Sequence, residues 1–394
     1  MSAVAVARRW DERGRLLAGV DHGRVPGFSR AELLAEIEAS GLTGRGGAAF
    51  PTARKLAAVA RASRPVVIAN GTEGEPASWK DKVLLAESPH LVIDGVVVAA
   101  RIVGANNAVL AIGRANRRVL GRLSRALAAR SDRIDIHIET VPDRFVAGEE
   151  SALLHVLEGG PAKPTLKRPY EHGTLVQNVE TLANLGLIAR YGAGWFRERG
   201  TPEEPGTVLV TVLGAVRTPG VVEVDLGTPM RDVIQRVGGL TALPQAFLVG
   251  GYFGTWLSAH DVLDLPLTNA ALKPLGAALG ARTIAVLPQG ACGLAESSRV
   301  ARYLAGESAG QCGPCVFGLP ALADALETLD VERLRRLAPQ VFGRGACAHP
   351  NGATRFVASA VDVFADEIEG HRVGRCTGPA HPPVLPLGAS SDWR

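Results

Sequence analysis

Three short apolar, β-branched runs, PVVIAN (65–70), AVLAI (108–112) and IDIHI (134–138), are separated by helical stretches around 82–103 and 117–130. Runs of this kind read as strands, and strand alternating with helix builds a parallel α/β sheet. Right-handed crossovers then leave the first half of the chain only a few topologies. A helix over 31–40 and a glycine-rich loop over 41–51 precede the first strand. The texture changes at Gly206. GTVLVTVLGAV, TPGVVEVDLG, a helical MRDVIQRVGG and a strand-like AFLVGG predict a small β-rich module with one helix. Beyond Ala295 the pattern is helical again, with Phe356, Val357, Ala360, Val361, Phe364 and Ile368 spaced along one helix face. The proline-rich end of the chain, closing on DWR, predicts an unstructured tail.

At 394 residues the chain exceeds the usual single-domain range, which predicts two or three domains with cores of their own. It is 46% hydrophobic and 21% charged, with Gly 46 and Pro 25, the balance of a loop-rich globular protein. The 43 basic and 39 acidic side chains are mixed along the sequence, without a basic block, which argues against nucleic acid as a partner. No apolar run reaches the ~18 residues of a membrane span, because Asp94 and Arg101 interrupt the best one. Arg8, Arg9 and Arg13 are not followed by the apolar core of a secretory signal, so the expected location is cytoplasmic. Five cysteines are too few for a disulfide scaffold and suggest metal instead. Arginine is the default cation here, and five of the six lysines (Lys55, Lys80, Lys82, Lys163, Lys167) cluster between 55 and 167, which reads either as sites wanting a compact, flexible charge or as chance clustering.

Five motifs carry chemistry. In GLTGRGGAAFPTARK (41–55), Gly44, Gly46 and Ala49 match G-x-G-x-x-A, but the strand follows the loop, so an ordinary dinucleotide fingerprint is excluded. Glycines still let backbone N–H groups approach an anion, and Arg45 and Lys55 add charge, which points to a phosphate-bearing ligand over a plain surface turn. Phe50 beside the loop can stack on an aromatic ring or belong to the core. NGTEGEPASWKD (70–81) follows the first strand, at the carboxyl end where α/β sheets bind ligands, so Asn70, Glu73 and Glu75 are candidates for holding ribityl or ribose hydroxyls; a solvated acidic turn is the alternative. FVAGEESALL (145–154) places Gly148, Glu149 and Glu150 at a helix start, where glutamates also simply favour the helix dipole. KPTLKRPYEHGTLVQNVETL (163–182) brings Lys167, Tyr170, Gln177 and Asn178, groups suited to a heterocycle. Finally, ESAGQCGPCVFG and GACAHPNG supply Cys312, Cys315 and Cys347. A C-x-x-C turn aims two thiolates at one centre, although zinc or an iron–sulfur cluster needs four ligands and three are evident. Thioredoxin-like redox chemistry is disfavoured because a helix, not a strand, precedes the motif.

Taken in this order, the five motifs resemble the flavin-bearing, NADH-oxidising (51 kDa) subunit of respiratory complex I, shared with diaphorase subunits of NAD-linked hydrogenases and formate dehydrogenases. The likeness spans about residues 30 to 370. It implies an α/β domain of modified Rossmann type over 1–204 that binds FMN and NADH, a ubiquitin-like β-grasp (SLBB) domain over 205–285, a helical bundle with an iron–sulfur motif over 286–375, and a flexible tail over 376–394. It further implies that Gly44, Arg45, Gly47 and Lys55 hold the FMN phosphate region and that Phe50 stacks on the nicotinamide nucleotide. Asn70, Glu73, Gly148, Glu149 and Glu150 would line the cofactor, with Glu75 near NADH; Asn178 and Thr181 would contact the flavin side, and Lys167 and Tyr170 the nucleotide entrance. The implied reaction is hydride transfer from NADH to FMN, with Glu75 and Phe50 at the reacting end, followed by single-electron transfer to iron–sulfur centres. The implied partner is a thioredoxin-fold [2Fe–2S] subunit or a ferredoxin, which would place the protein on the inner face of the membrane through a complex.

The chain departs from the family pattern in one important place. The cluster motif S-C-G-x-C-x-P-C reads here Ser308, Ala309, Gly310, Gln311, Cys312, Gly313, Pro314, Cys315, so the first ligand is missing. A [4Fe–4S] cluster with a fourth ligand from His349, Cys292, Cys376 or water, a [3Fe–4S] cluster, and no cluster at all stay open. Thr72, Gln177 and Phe145 are smaller departures near the flavin. The alternatives to the leading function are a cluster-free FMN diaphorase and a non-catalytic ligand-binding or assembly module.

Overall fold

The computed structural model describes residues 14–18, 27–376, 378, 381–389 and 391–394. Helix α1 (Arg30–Ser40) begins where Ser29 and Glu32 form a reciprocal capping box and stops at Gly41 in the left-handed conformation. It leads through the glycine loop into α2 (Thr52–Val59) and strand β1 (Val66–Gly71). Helices α3 (Lys80–Glu87) and α4 (Pro89–Val103), strand β2 (Asn107–Gly113), α5 (Arg117–Ala128) and β3 (Asp135–Val141) follow. A 3-10 turn (Phe145–Gly148), α6 (Glu150–Leu157), β4 (Thr174–Asn178) and α7 (Val179–Arg197) complete the unit.

The four strands are parallel and ordered β3-β2-β1-β4. All three strands expected from the sequence are present; β4 is an addition to them, because TLVQN is short and carries two amides. Val67, Ala69, Leu110 and Ile112 are fully buried with helices α4 and α7 over them, whereas β3 at the edge alternates in exposure as a half-covered strand should. No single helix among the described residues is long and apolar enough to cross a membrane; α3 and α4 meet at 97°.

The middle of the chain forms a second sheet from β5 (Thr207–Gly214), β6 (Gly220–Asp225), β7 (Pro244–Val249), β8 (Thr255–Ser258) and β9 (Thr283–Pro288) in the order β6-β5-β9-β7-β8. Only β5 and β9 run parallel. Helix α8 (Met230–Arg236) lies in its core through Met230, Val233 and Ile234, and α9 (Ala259–Val262) and α10 (Asn269–Leu272) are short connectors. Five helices then pack together: α11 (Gly293–Gly306), α12 (Leu319–Glu327), α13 (Val331–Val341), α14 (His349–Val363) and α15 (Ala365–Arg372). Trp256 of β8 meets Phe364 edge-on at 5.2 Å, joining the second sheet to these helices. All three units meet at Phe145, whose ring lies against Phe253, Tyr303 and His349.

The tail corrects an expectation. Composition predicts a free end, yet Val384 and Leu385 donate their N–H groups to Glu296, and Trp393 lies 4.0 Å from the Arg144 guanidinium. Its order comes from partners far away in sequence rather than from any periodicity of its own.

Candidate functional site

Asn70, one residue before the end of β1, faces Asn178, the last residue of β4, in the strand pairing. The chain leaves β1 for β2 and β3 on one side while β4 pairs on the other, which opens a crevice at the carboxyl ends. Asn70 Nδ2 donates to Gly148 O at 2.8 Å, fastening the 3-10 turn to β1. Asn178 Oδ1 caps α7 by accepting from Glu180 N, and its Nδ2 donates to Asp81 Oδ2 at 2.8 Å.

The glycine loop closes over this crevice. Gly44 N donates to Phe50 O at 2.9 Å, and Arg45 N donates to Thr181 Oγ1 at 2.8 Å, tying the loop to the start of α7. Gly47 has φ +111°, a conformation L side chains rarely adopt, and it and its neighbour Gly46 are both exposed. Among the described residues the N–H groups of Gly46 and Gly47 meet no acceptor. The Arg45 side chain does not line the loop. It is buried, its Nη2 donates to Pro205 O at 3.0 Å, and Arg282 Nη1 from the second unit donates to Arg45 O. Burial, with Arg282 alongside, lowers Arg45 to about 9. Two guanidinium groups thus stand behind the open N–H groups and make the loop attractive to an anion. Lys55 of α2 is held by Val176 O at 2.7 Å and by Glu150.

The acidic residues divide by role. Glu73 adopts φ +41° and caps α3: its carboxylate accepts from Ser78 Oγ at 2.6 Å and from Asp81 N and Lys82 N, both at 3.0 Å. Glu149 caps α6 through Ser151 N and Ala152 N. Glu150 is half exposed and pairs with Lys55. Glu75 turns toward the second unit and accepts from Tyr252 N at 3.1 Å; burial raises its carboxyl to about 8.

Sequence reasoning missed a buried ionic group beneath the crevice. Lys80 Nζ donates to Asp81 Oδ1 at 2.7 Å and to Glu180 Oε2 at 2.8 Å, and Glu180 Oε1 accepts from Leu209 N of β5 at 3.0 Å. Burial raises Glu180, but Lys80 and Arg282 overcome it and hold the carboxyl below its usual range. Burial also raises Asp81, against the pull of Lys80. The one signal in the sequence is the scarcity of lysine, which marks Lys80.

Tyr170 and Lys167 are not brought to the crevice. Tyr170 lies in the 3-10 turn (Pro169–His172) just before β4, at the amino end of that strand, and Lys167 Nζ pairs with Glu158 at 3.3 Å. Phe50 stands at the loop end, 47% exposed, with Arg54 5.8 Å from its ring.

The five thiols fall into two groups. Burial, then Cys312, push the Cys315 thiol up to about 12; Cys347 and the Ser308 hydroxyl are further neighbours of Cys315. Burial raises Cys347, whose surroundings include the His349 backbone N–H, Glu149 and Cys312. Ala309 is buried beside them and offers no donor. Cys292 and Cys376 neighbour each other instead. His349 is held by Leu304 O at 2.8 Å, its Nδ1 buried without a partner among aromatic rings. Neither cysteine of the second group therefore fills the place of the missing ligand.

Three family descriptions match this chain: the Nuo51 FMN-binding domain over residues 37–186, the SLBB domain over 209–251, and the NADH-ubiquinone oxidoreductase-F iron–sulfur binding region over 295–371. An NADH-quinone oxidoreductase subunit of Rhizobium meliloti (strain 1021) is 30% identical across 87% of this chain and 89% of its own length. The NADP-reducing hydrogenase subunit HndC of Solidesulfovibrio fructosivorans is 29% identical across 86% of this chain and 76% of its own. The crystal structure of an NAD+-reducing [NiFe]-hydrogenase in the H2-reduced state superposes with a TM-score of 0.83 at 30% identity, over 96% of this chain and 68% of that one. The sequence and the fold thus match one family over nearly the whole chain, and the chain belongs to it: the flavin-bearing NADH dehydrogenase subunits, FMN-dependent oxidoreductases that pass electrons on to iron–sulfur partners.

Proposed function

We propose that FMN lies in the crevice at the carboxyl ends of β1 and β4, its phosphate over the Gly44–Gly47 loop and its ribityl chain between the turns bearing Asn70 and Gly148. The observation that carries this reading is the pair of open N–H groups at Gly46 and Gly47 backed by buried Arg45 and Arg282. An anion there gains backbone donors without displacing any protein hydrogen bond. Lys55 is positioned to exchange Glu150 for phosphate, while Asn178 and Thr181 hold the loop and α7 in register. When bound, FMN supplies hydride acceptance from NADH and one-electron release. The protein orients both reactants: Phe50 presents an exposed ring at the mouth, and Glu75, held by Tyr252 N and protonated below about pH 8, offers a neutral donor there. Lys167 and Tyr170 contribute only to an outer approach.

The thiols fit a cluster incompletely. Cys312, Cys315 and Cys347 supply three ligands and Ala309 none, so we derive no electron step through them. The strand order of the middle sheet supports the β-grasp reading of 205–285, and the packing of α11 to α15 supports the bundle over 286–375. Val316 and Phe317, exposed beside Cys315, with Phe342 exposed nearby, favour a docking face for an iron–sulfur partner, a thioredoxin-fold [2Fe–2S] subunit or a ferredoxin, either of which would be the immediate acceptor. Through that partner the protein would sit peripherally on the inner membrane face.

The test is the purified protein itself. It is expected to be yellow and to bleach with NADH, and Lys55→Glu is expected to lose both the colour and the bleaching while remaining folded. A folded, colourless wild type whose extract holds no flavin overturns the reading.

A further inference from the structure

At the end of the helical unit away from Cys315, three stretches of chain converge: the turn between β9 and α11, the end of α15, and the start of the tail. Ligand atoms of Cys292, His371 and Cys376 all lie within 4.8 Å of one another, and Cys292 Sγ is 3.4 Å from His371 Nε2. We propose that Cys292, His371 and Cys376 form a zinc site, its fourth position left to solvent, that pins the C-terminal segment to the body of the protein.

The donor chemistry argues for this metal. Two thiolates and an imidazole suit zinc and exclude magnesium or calcium, which take oxygen ligands. A tetrahedral zinc with Zn–S near 2.3 Å and Zn–N near 2.0 Å puts sulfur and nitrogen about 3.5 Å apart, close to the separation already present without large movement. Glu367 lies one helical turn before His371 on the same face of α15. The residue is 5% exposed, and its carboxylate accepts from Gly293 N at 3.0 Å and from Gln245, an outer charge beside Cys292 and not a fourth ligand. The sulfur of Cys292 also accepts from Ala295 N at 3.3 Å at the start of α11, the kind of outer contact that orients a metal-bound thiolate. Beyond Cys376, Gly378 is pressed onto the same turn: a Cβ there would lie 2.4 Å from Gly290 O. The tail is therefore held where its thiol meets the other two donors. Binding releases the two thiol protons to solvent and changes no oxidation state.

The site does not depend on the flavin reading, and its test is separate. The full-length chain, purified without a metal-affinity tag, should carry about one zinc by elemental analysis. Cys376→Ser and the double variant Cys292→Ser/His371→Gln should lose most of it while keeping wild-type flavin and iron. Chelated protein reloaded with cobalt(II) should show thiolate charge-transfer absorption that His371→Gln lacks. Because Cys292 is buried and its replacement threatens folding, Cys376→Ser at the exposed end decides the matter on its own. Zinc retained in folded Cys376→Ser overturns the proposal. So does a wild type that stays zinc-free after anaerobic loading, or a Cys292–Cys376 disulfide in the peptide map of protein isolated with its thiols blocked.

Discussion

The backbone N–H of Tyr252 donates to Glu75 Oε1 at 3.1 Å, so this acidic side chain is positioned by the second unit and not by its own loop. Burial raises its carboxyl from 4.5 to about 8. The folded state thus keeps a proton that the unfolded chain has already lost. The resulting stabilisation is complete below about pH 4.5 and disappears as pH rises through 8. Glu75→Gln keeps the acceptor for Tyr252 N but cannot ionise. Its melting temperature is expected to fall less than that of the wild type between pH 6 and 9, roughly a unit or more either side of the shifted value. Parallel melting curves for the two proteins across that range would refute the assignment.

Lys80 holds Asp81 and Glu180 together at 2.7 and 2.8 Å, with Glu180 fully buried and bonded onward to β5. Removing the cation while leaving both acids in place strands buried charge, so Lys80→Met should cost about 3–5 kcal/mol by urea denaturation. The double variant Lys80→Met/Glu180→Gln should recover part of that loss, since one of the stranded charges is gone. A single variant within about 1 kcal/mol of wild type would mean that water or relaxation already solvates the group.

The contrast between Val67 and Gln177 shows what the sequence makes legible. Val67 lies in a β-branched run buried on both faces, so its strand announces itself; Gln177 lies in an equally buried strand whose amides give no apolar pattern. At the site, the glycines and acids that shape turns are readable because turn chemistry is local. The Lys80–Glu180 pair, one hundred positions apart, and the Glu75–Tyr252 bond, 177 apart, depend on how units dock, which no local pattern records. Arg45 reads in sequence as a ligand-facing cation, whereas its side chain turns inward to Pro205 O. Cys292 and Cys376 look interchangeable with the other thiols in one dimension and are separate from them in three.

Trp393 offers a local test of the tail. Its ring lies 4.0 Å from the Arg144 guanidinium and 4.9 Å from Lys163 Nζ, and its carbonyl accepts from Ala162 N at 2.8 Å. A cation over an indole face in a partly desolvated place contributes about 0.5–2 kcal/mol. Trp393→Ala should lower stability by that amount and speed proteolysis of the last dozen or so residues, with flavin content unchanged. Wild-type protease resistance in the variant would show that Glu296, through Val384 and Leu385, holds the tail unaided.

Ala309 stands where the resemblance read from the sequence expects the first cluster cysteine, and placing a thiol there asks what the remaining cysteines hold. The residue is buried, one position from Ser308, whose hydroxyl neighbours Cys315. A new sulfur at 309 would enter an environment already built around Cys312, Cys315 and Cys347. After anaerobic reconstitution, Ala309→Cys is expected to take up about four irons per chain and to give a reduced-cluster EPR signal, while the wild type binds fewer and gives a weaker signal or none. An absence of iron and silent spectra in both proteins would mean that these thiols hold no cluster, whereas about four irons per chain and identical spectra in both would mean that a ligand other than cysteine already completes it. Ser308→Ala then becomes the deciding variant, since loss of the wild-type cluster in it alone would assign the oxygen ligand.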